Sequence, residues 1–520
     1  MMRTSNRARL MLGCTLGLGL CVGGCMVGPD YDRRPAIVSQ RFKELQPAPG
    51  WQRAMPQAAA FPKGEWWRLY NDPVLSALEA QVSISNQNVK VSEADYRQAR
   101  AIVDEARASL FPTVTGTPAI TRQSSGGSSS GFSSGTTGAS TTGASTTGST
   151  GFGGSTITNY QLEASVSWDL DVWGRIRRQI ESDVASAQAS AADLANATLS
   201  YQATLATDYF DLRTEDSLQM LLDRTVASYE RSLQVTQNQY NAGLTAATPS
   251  ALLQAATLLE QTRAEAVNVG VLRTQYEHAI AVLTGRPPAE LTIAPAPLTT
   301  VIPAIPVSLP ATLLQRRPDI SAAERTMEEE NALIGVEVAA FYPDISLSAL
   351  YGWSGNPIGS LIQASNRVWS LGASASQILF EGGLRTASVQ AAQAAYDAQV
   401  ATYRQTVLGA FQTTEDDLSA LRIYERQAVA QARAVSLSEQ AVTVAFNEYN
   451  AGTVDYTTVV TSEATALSNE QTLLTIQQDR MVDSVSLIEQ MGGGWNIRDL
   501  PSKGSLQTSD PLVPAFLEKN

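Results

Sequence analysis

Residues 161–177 read QLEASVSWDLDVWGRIR, and two different periodicities meet within them. Up to Val172, apolar and polar residues alternate strictly, which is the pattern of a β-strand with one apolar face. From Ile176 onward, apolar or small residues instead recur about every 3.6 positions, the period of an α-helix. The stretch therefore predicts a strand over 157–172 that runs directly into a helix over 174–240.

The predicted helix is too long for a compact core. At about 1.5 Å per residue, a helix over 174–240 is roughly 100 Å long. Residues 383–449 are rich in alanine, contain no proline and predict a second helix of this kind. Residues 344–353 and 367–379 alternate as the first strand does. The sequence thus predicts a mainly helical, elongated chain with a smaller β portion.

The chain is a tandem duplication. The motif Tyr-Asn-Ala-Gly occurs at 240–243 and again at 449–452, an offset of 209 residues. Each copy predicts the order helix, strand, loop, strand, long helix, turn, helix. The first copy covers 74–110, 113–121, 157–172, 174–240 and 249–284, and the second covers 310–340, 344–353, 367–379, 383–449 and 456–491. Gly243 and Gly452 stand where a helix end commonly takes a left-handed residue, so each long helix is expected to fold back as a hairpin.

The N-terminus has the features of an exported lipoprotein. Three arginines precede an apolar stretch over 10–22, which is the order of a signal peptide and is too short to span a bilayer. Val22-Gly-Gly-Cys25 has the form of a bacterial lipobox, whose cysteine is acylated; an ordinary signal with an incidental cysteine is the alternative. We therefore predict a signal peptide (1–24), a lipidated N-terminal segment (25–73), a first repeat (74–286) with a Gly/Ser/Thr loop (124–155), a Pro-rich linker (287–309), a second repeat (310–495) and a C-terminal tail (496–520).

The scarce residue types exclude several functions. The chain has one histidine, His278, and three cysteines, Cys14, Cys21 and Cys25. No zinc site, histidine-dependent catalytic triad or disulfide framework is therefore expected. A net charge of −13 argues against nucleic acid as a partner. We expect no metal, no catalytic residue and no enzymatic activity; a lipid-anchored periplasmic enzyme is the third-ranked alternative.

Four strands per chain indicate an oligomer. Segments of about ten alternating residues with aromatics near their ends are typical of a membrane β-barrel, with a half-buried soluble sheet as the alternative. Four strands cannot close a barrel and open edges are not tolerated in a bilayer, whereas three copies would supply twelve strands around a water-filled passage. The tryptophans expected at the membrane interface, with core packing as the alternative, are Trp168, Trp173, Trp353 and Trp369.

Several motifs in one order resemble a known family. They are CMVGPDY at 25–31, DVWGRIR at 171–177, RPDISAAE at 317–324 and FYPD at 341–344, together with the paired Tyr-Asn-Ala-Gly turns. In these motifs the chain resembles the TolC/OprM-type outer-membrane efflux proteins (outer membrane factors), in particular the NodT-like lipoprotein branch of resistance-nodulation-division (RND) efflux systems.

The resemblance implies a fold, a location and partners. The fold is mainly α-helical and internally duplicated, and its trimer forms a twelve-stranded transmembrane β-barrel continued by a long periplasmic helical barrel. The implied location is the bacterial outer membrane, with outer-membrane lipid, a periplasmic adaptor protein and an inner-membrane RND transporter as partners. No cofactor is implied beyond a covalent lipid, such as palmitate, on Cys25. The expected function is passive export of drugs or other small molecules; a lipid-anchored trimeric surface stalk or adhesin is the main alternative.

The resemblance also assigns roles near the turns. The periplasmic tip and adaptor contact would comprise Tyr240, Asn241, Gly243, Tyr449, Asn450 and Gly452. Many relatives have an aspartate nine residues beyond the second turn's glycine, where this chain has Thr461. The candidate gate residues are therefore Asp455, Thr461 and Glu463, with a solvated surface charge as the alternative for the two acids.

Two charged clusters receive predictions of their own. Arg175, Arg177 and Arg178 directly follow the first predicted strand, and we favour salt bridges for them over contacts with lipid headgroups. Residues 328–330, all glutamate, are expected to form a solvated helical face.

Overall fold

The computed structural model describes residues 26–36, 38–39, 42–44, 64–125, 155–243, 248–303, 305 and 310–507. The predicted signal peptide and lipidation site, most of the Gly/Ser/Thr loop and the end of the predicted tail lie outside the described residues.

The described residues form one four-stranded sheet that continues into a group of packed helices. In chain order the elements are α1 (Pro73–Ser85), α2 (Gln87–Ala108), β1 (Thr113–Ser125), β2 (Ser155–Leu170), α3 (Arg175–Asn241), α4 (Pro249–Leu283), α5 (Pro310–Arg316), α6 (Pro318–Ala339), β3 (Asp344–Gly355), β4 (Arg367–Ser376), α7 (Leu384–Asn450), α8 (Tyr456–Gln490) and α9 (Lys503–Leu506). Helix α3 packs along α2, α4, α6 and α8, and α7 packs along α6 and α8.

The two copies of the duplication have helices of equal length. Helices α3 and α7 each have 67 residues, and α4 and α8 each have 35. Both long helices begin and end within one residue of the predicted bounds. At the hairpin turns Gly243 and Gly452 adopt φ values of 74° and 73°, the left-handed conformation that the repeated motif predicts.

Two helices predicted as continuous are broken. The helix predicted over 74–110 is interrupted at Asn86, whose backbone is extended and whose side chain accepts two backbone hydrogen bonds from the first turn of α2. The same side chain donates to Leu283 O at 2.9 Å, which ties the break to the end of α4. The helix predicted over 310–340 is broken before Pro318, because a proline ring disfavours helical backbone in the residue that precedes it.

The sheet joins the two copies, with the strand order β1-β2-β3-β4 and antiparallel pairing throughout. β2 of the first copy pairs with β3 of the second, so β1 and β4 are left as edges. β1 includes Gly116 and Pro118 and continues to Ser125, four residues past its predicted end; an edge strand tolerates the proline. β2 and β4 end before their predicted limits, at Leu170 and Ser376.

The main core lies where a 3-10 turn, Trp66–Tyr70, and α1 pack on the middle of α3 and the end of α8. No element was predicted for this turn. The cluster includes Trp66, Tyr70, Leu75, Val82, Leu205, Phe210, Leu212, Val485 and Ile488. Each large apolar side chain buried here contributes about 1.5–3 kcal/mol to the free energy of unfolding. On α1, Glu79 is fully buried without a hydrogen-bond partner, and this burial raises its pKa well above its ordinary value.

An N-terminal strap, the described part of residues 26–44, lies along the helices. At its start the Val27 N–H donates to Trp173 O at 3.1 Å, where the sheet meets α3. At its end the Glu44 N–H donates to the Glu415 carboxylate on α7 at 2.8 Å. The strap therefore runs from the junction of sheet and helices down to the middle of the helical part.

Gly28 is where the strap comes closest to the helices. Its φ is 94°, and a Cβ at this position would lie 2.5 Å from the Cα of Gly335 on α6. Only a residue without a side chain can adopt this backbone conformation and this contact together.

We expect Gly28→Ala to lower the free energy of unfolding by about 2–4 kcal/mol, since left-handed strain and overpacking add. Gly382→Ala is the matched control, because Gly382 also has positive φ (64°) but no atom within 4 Å of the added Cβ; its loss should be only about 1–2 kcal/mol. Denaturant unfolding of the purified protein in detergent measures both. Equal losses would show that the contact with Gly335 does not matter.

Candidate functional site

The sheet has one apolar and one polar face. Paired residues share a face, so the register assigns each strand residue to one of the two. The apolar face includes Val114, Ile120, Leu162, Val166, Trp168, Leu170, Ile345, Leu347, Tyr351, Trp353, Trp369 and Leu371. The polar face includes Thr113, Thr115, Gln161, Glu163, Ser165, Ser167, Asp169, Asp344, Ser346, Ser348, Ser370 and Ser374. Within the described strands, the polar face carries carboxylates but no lysine or arginine.

Two of the four predicted interface tryptophans lie at the helix end of the sheet. The indole N–H of Trp168 donates to Leu110 O at 2.9 Å. Trp173 follows β2, stacks on Tyr342 with ring centroids 4.8 Å apart, and donates to Pro343 O at 2.9 Å. Both indoles combine an apolar ring surface with a satisfied N–H, as expected of aromatics at a boundary between apolar and polar surroundings.

The other two tryptophans lie toward the opposite, distal end of the sheet. Trp353 pairs with Leu162 in β2, which is six residues or about 20 Å along the strand from Trp168. Trp369 is 70% exposed and pairs with Tyr351, whose ring meets that of Trp353 edge-on at 5.5 Å. The aromatics therefore form two groups separated by a distance comparable with the apolar band of a membrane barrel. Their membrane role stays a prediction.

Arginines at the junction of sheet and helices form ion pairs. Arg178 is 1% exposed; it donates to Asp30 at 2.8 Å, to Glu181 at 2.7 Å and to two carbonyls of the strap. Arg177 pairs with Asp171 at 3.0 Å. Arg178 therefore holds the strap to the start of α3, and Arg177 holds the start of α3 to the segment that follows β2.

The glutamate run 328–330 is not the solvated face that was predicted. Glu328 is 1% exposed and binds Arg325 at 2.5 Å on one side and Lys503 on α9 on the other. The prediction was wrong because Lys503 is distant in sequence and the chain fold brings it to Glu328.

The two hairpin tips meet. The ring of Tyr456, the first residue of α8, meets Tyr449 edge-on at 5.1 Å, and its hydroxyl lies 2.9 Å from Ser232 Oγ on α3. The Gln239 side-chain amide donates to Asn450 Oδ1 at 2.8 Å. The two copies of the turn motif are therefore in different environments: Tyr449 is fully buried, whereas Tyr240 is 42% exposed.

The remaining predicted tip residues, Asn241, Gly243, Asn450 and Gly452, are exposed. Among the candidate gate residues, Asp455 and Thr461 are exposed, and the Thr461 hydroxyl donates back to Thr457 O at 2.7 Å. Their contact and gating roles stay predictions.

Unlike the other two gate candidates, Glu463 is buried. Its side chain is 6% exposed, one of its carboxylate oxygens has no hydrogen-bond partner, and burial raises its pKa to about 7. It lies close enough to Tyr229 on α3 to raise the pKa of that buried hydroxyl, for which burial is the larger cause. Glu463 thus lies in the seam between α3 and α8, where its charge is costly.

A further set of carboxylates, here called the acidic band, lies midway along the long helices and was missed in the sequence. Its members are Asp208, Asp211 and Glu215 on α3, Asp417 on α7, and Asp479 and Asp483 on α8. The spacing of three or four residues on α3 and α8 was the available signal, since such residues share a helix face.

Burial and, to a smaller extent, neighbouring carboxylates raise pKa values within the acidic band. Burial, with Asp211 nearby, raises the pKa of Asp208 to about 6. Burial, with Asp483 nearby, raises the pKa of Asp417 to about 7 despite a hydrogen bond from Ser486 at 2.9 Å. The pKa of Asp483 rises to about 6 through burial and the charge of Asp479. Asp417, whose pKa is about 7, is therefore only partly ionised at neutral pH.

Other kinds of site are not found in the described part of the chain. No group of three or more His, Cys, Asp or Glu side chains is arranged there to hold a metal ion. The single histidine, His278, is exposed on α4. None of the described helices combines the length and apolar character that crossing a membrane requires.

Comparison with known proteins identifies the family. Residues 78–286 and 309–493 match the family described as outer membrane efflux protein. The chain belongs to this family.

Individual relatives match over nearly their whole length. The solvent efflux pump outer membrane protein SrpC of Pseudomonas putida is 29% identical over 480 residues, covering 92% of this chain and 97% of that protein. The cation efflux system protein CusC of Escherichia coli is 25% identical, with the same coverage. Among solved structures, the outer-membrane channel OprN superposes with a TM-score of 0.80 at 28% identity, covering 91% of this chain and 100% of that one. The Neisseria gonorrhoeae MtrE channel in its open state superposes with a TM-score of 0.76 at 24% identity, covering 91% of this chain and 99% of that one. At this identity the match supports the fold alone.

These matches confirm several expectations. The fold class is confirmed: a mainly helical, internally duplicated chain that contributes four strands to a trimeric twelve-stranded β-barrel continued by a helical barrel. The function of an outer-membrane efflux channel is confirmed over the surface stalk or adhesin, and the location is the outer membrane. The relatives are transport conduits rather than enzymes. The lipid anchor and the predicted domain bounds stay predictions.

The burial of Glu463 predicts a pH-dependent tip. A carboxyl whose pKa is raised in the folded state stabilises the fold fully below its unfolded value near 4.5, and this contribution is lost as the pH rises through about 7. Between pH 4.5 and 8 the wild type should therefore lose on the order of 2–3 kcal/mol of its free energy of unfolding through Glu463. The Glu463→Gln variant should not show this loss. Denaturant unfolding across this pH range measures the effect.

Glu439→Gln is the matched control for this test, because Glu439 is exposed on α7. Its unfolding curves should follow the wild type at every pH. A Glu463→Gln variant with the same pH dependence as the wild type would mean that Glu463 stays hydrated in solution.

Proposed function

We propose that three copies of this chain form the passive outer-membrane conduit of a tripartite efflux pump, completed by a periplasmic adaptor and an inner-membrane transporter of the RND type. The observation that carries the proposal is a sheet with opposite apolar and polar faces that runs directly into two long helical hairpins. The apolar face suits contact with lipid, and the polar face suits a water-filled interior.

The free edges of the sheet support closure by other copies. Among the strands that the structure describes, β1 and β4 each have a neighbour on one side only. The two strands run in opposite directions. β4 of one copy can therefore form an antiparallel pair with β1 of the next, as a continuous antiparallel barrel requires. Twelve strands then enclose a passage rather than a packed core.

The charges on the inner surface favour cations and neutral solutes. The polar face of the sheet carries Glu163, Asp169 and Asp344 and no basic residue among the described strands. In a confined passage such carboxylates attract cations and repel anions. Because the named relatives include a solvent efflux protein and a cation efflux protein, we propose small neutral organic molecules and cations as the exported classes.

The hairpin tips are the proposed adaptor contact. Tyr240, Asn241 and Gly243 on the first hairpin and Asn450 and Gly452 on the second are exposed at the end farthest from the sheet. The hydrogen bond between Gln239 and Asn450 holds the two tips side by side, so a partner can contact both at once.

The strap supports a lipid anchor on Cys25. Val27, two residues beyond it, is hydrogen-bonded to Trp173, and a Cβ at Gly174 would lie 2.7 Å from Met26 Cγ. Met26 and Val27 thus lie at the end of the sheet that Trp168 and Trp173 mark. Acyl chains on Cys25 would enter the membrane there, each buried methylene contributing about 0.8 kcal/mol.

The conduit is tested by reconstituting the purified trimer in planar bilayers. We expect stepwise ion currents with cations more permeant than anions, and a permeability ratio closer to unity in the triple variant Glu163→Gln, Asp169→Asn, Asp344→Asn. Glu93→Gln, an exposed acid on α2, is the matched control and should leave selectivity unchanged. A folded trimer that carries no current would contradict the proposal.

The anchor is tested by metabolic labelling with palmitate. We expect Cys25→Ala to abolish incorporation, because its thiol is the proposed acceptor, while Cys14→Ala and Cys21→Ala retain it as matched controls. Intact-mass measurement of the mature protein supplies the second readout. Persisting label in the Cys25→Ala protein would rule out this residue as the attachment site.

A further inference from the structure

Two arginines stand on the otherwise uncharged apolar face of the sheet. Arg122 in β1 pairs with Thr158, and Arg367 in β4 pairs with Trp353, which assigns both to the face that carries Leu162 and the tryptophans. Both lie at the distal end of the sheet, away from the helices. A charge on a face that contacts lipid is costly unless an opposite charge meets it.

Neither arginine has a partner within the described chain. Both residues are exposed, and no described carboxylate lies within 4.0 Å of either guanidinium. The conduit makes no use of them, because it is lined by the other face of the sheet. Their binding capacity is thus available to a ligand outside the barrel.

Barrel closure brings the two positions together. β1 and β4 are the sheet edges, so Arg367 of one copy and Arg122 of the partner subunit lie on adjacent strands at each junction. β4 begins at Arg367 and β1 ends three residues after Arg122, so both belong to the same rim. The register shows the strand ends staggered along the sheet, as strand tilt in a barrel requires.

The surroundings of the arginines match the level of lipid headgroups. Trp353 lies directly opposite Arg367, and Tyr351 and Trp369 form the next pair along the same two strands. Tyrosine and tryptophan rings concentrate at this level of a membrane, with their polar atoms toward the headgroups. A guanidinium here can form two parallel hydrogen bonds to a phosphate, which a lysine cannot.

We propose that each subunit junction binds a phosphorylated lipid headgroup of the distal leaflet through Arg367 of one copy and Arg122 of the partner subunit. The inference rests on the trimeric barrel of the proposed function. It assigns the outer surface of the barrel a role separate from transport: the lipid phosphate bridges two copies and strengthens their junction.

The test uses the full-length trimer in detergent and two glycolipids that differ only in phosphate. The probe is a bisphosphorylated, acylated glucosamine disaccharide, and the comparison ligand is the same lipid without phosphate. Native mass spectrometry should show up to three phosphorylated lipids bound per trimer. The phosphate-free lipid should bind more weakly. A wild-type trimer that binds both lipids equally would overturn the proposal without the need for any variant.

Variants then assign the site. The double variant Arg122→Gln, Arg367→Gln should lose about tenfold or more in affinity for the phosphorylated lipid, since a basic residue near an anionic surface contributes about fivefold. The charge-retaining double variant Arg122→Lys, Arg367→Lys should have an affinity between those of the wild type and the glutamine variant. It keeps the electrostatic attraction but loses the paired hydrogen bonds. Arg404→Gln, an exposed arginine on α7, is the matched control and should bind as the wild type does.

Failure of this inference is distinguishable from failure of the proposed function. A trimer that conducts ions in planar bilayers but binds the phosphorylated lipid equally well with and without Arg122 and Arg367 would overturn the lipid site alone. A protein that forms no conducting trimer would overturn the conduit, and with it the junction on which the site depends. If the glutamine variants do not assemble, the lysine variants and the phosphate-free lipid still decide the matter.

Discussion

The backbone groups on the free edges of the sheet impose the constraint on which the rest of the structure depends. β1 and β4 each present one row of N–H and C=O groups with no partner among the described strands. In a hydrocarbon layer each unpaired group costs several kcal/mol, so the edges must be paired. Pairing β4 with β1 of another copy satisfies both rows. Because β2 continues into α3 across only a few residues, closing the barrel also places the long helices of three copies side by side.

The helices show the same dependence on neighbouring copies. On α4 four apolar residues, Leu253, Val267, Val271 and Val282, are between 53% and 80% exposed in the single chain. Their spacing places them on one face of the helix over eight turns. No other described element of the single chain covers this stripe, whereas neighbouring copies in a barrel can cover it. The 67-residue helices and the open sheet are therefore two consequences of one assembly.

The elements that the sequence predicted correctly rest on local periodicity, and those it missed rest on contacts between distant residues. The bounds of α3 and α7 followed from spacing and from the repeated turn, and both faces of the sheet followed from strict alternation. The break at Asn86 could not be predicted from local spacing, because a hydrogen bond to a carbonyl at the end of α4 helps to hold it. The burial of Glu328 was missed because it involves Lys503, which is distant in sequence, and that of Glu463 because it depends on the packing of α8 against α3.

The sequence by itself determined the class of secondary structure, the duplication, the apolar and polar faces of the strands and the family, because each of these is encoded in residues near one another in the chain. Only the tertiary structure decided which carboxylates are charged. Glu79, Glu463 and the acidic band have raised pKa values because helices from both copies enclose them, and Glu324 and Glu328 are buried beside arginine and lysine. The physical reason is that the cost of a charge depends on the water and partners around it, and packing between distant segments supplies or removes both.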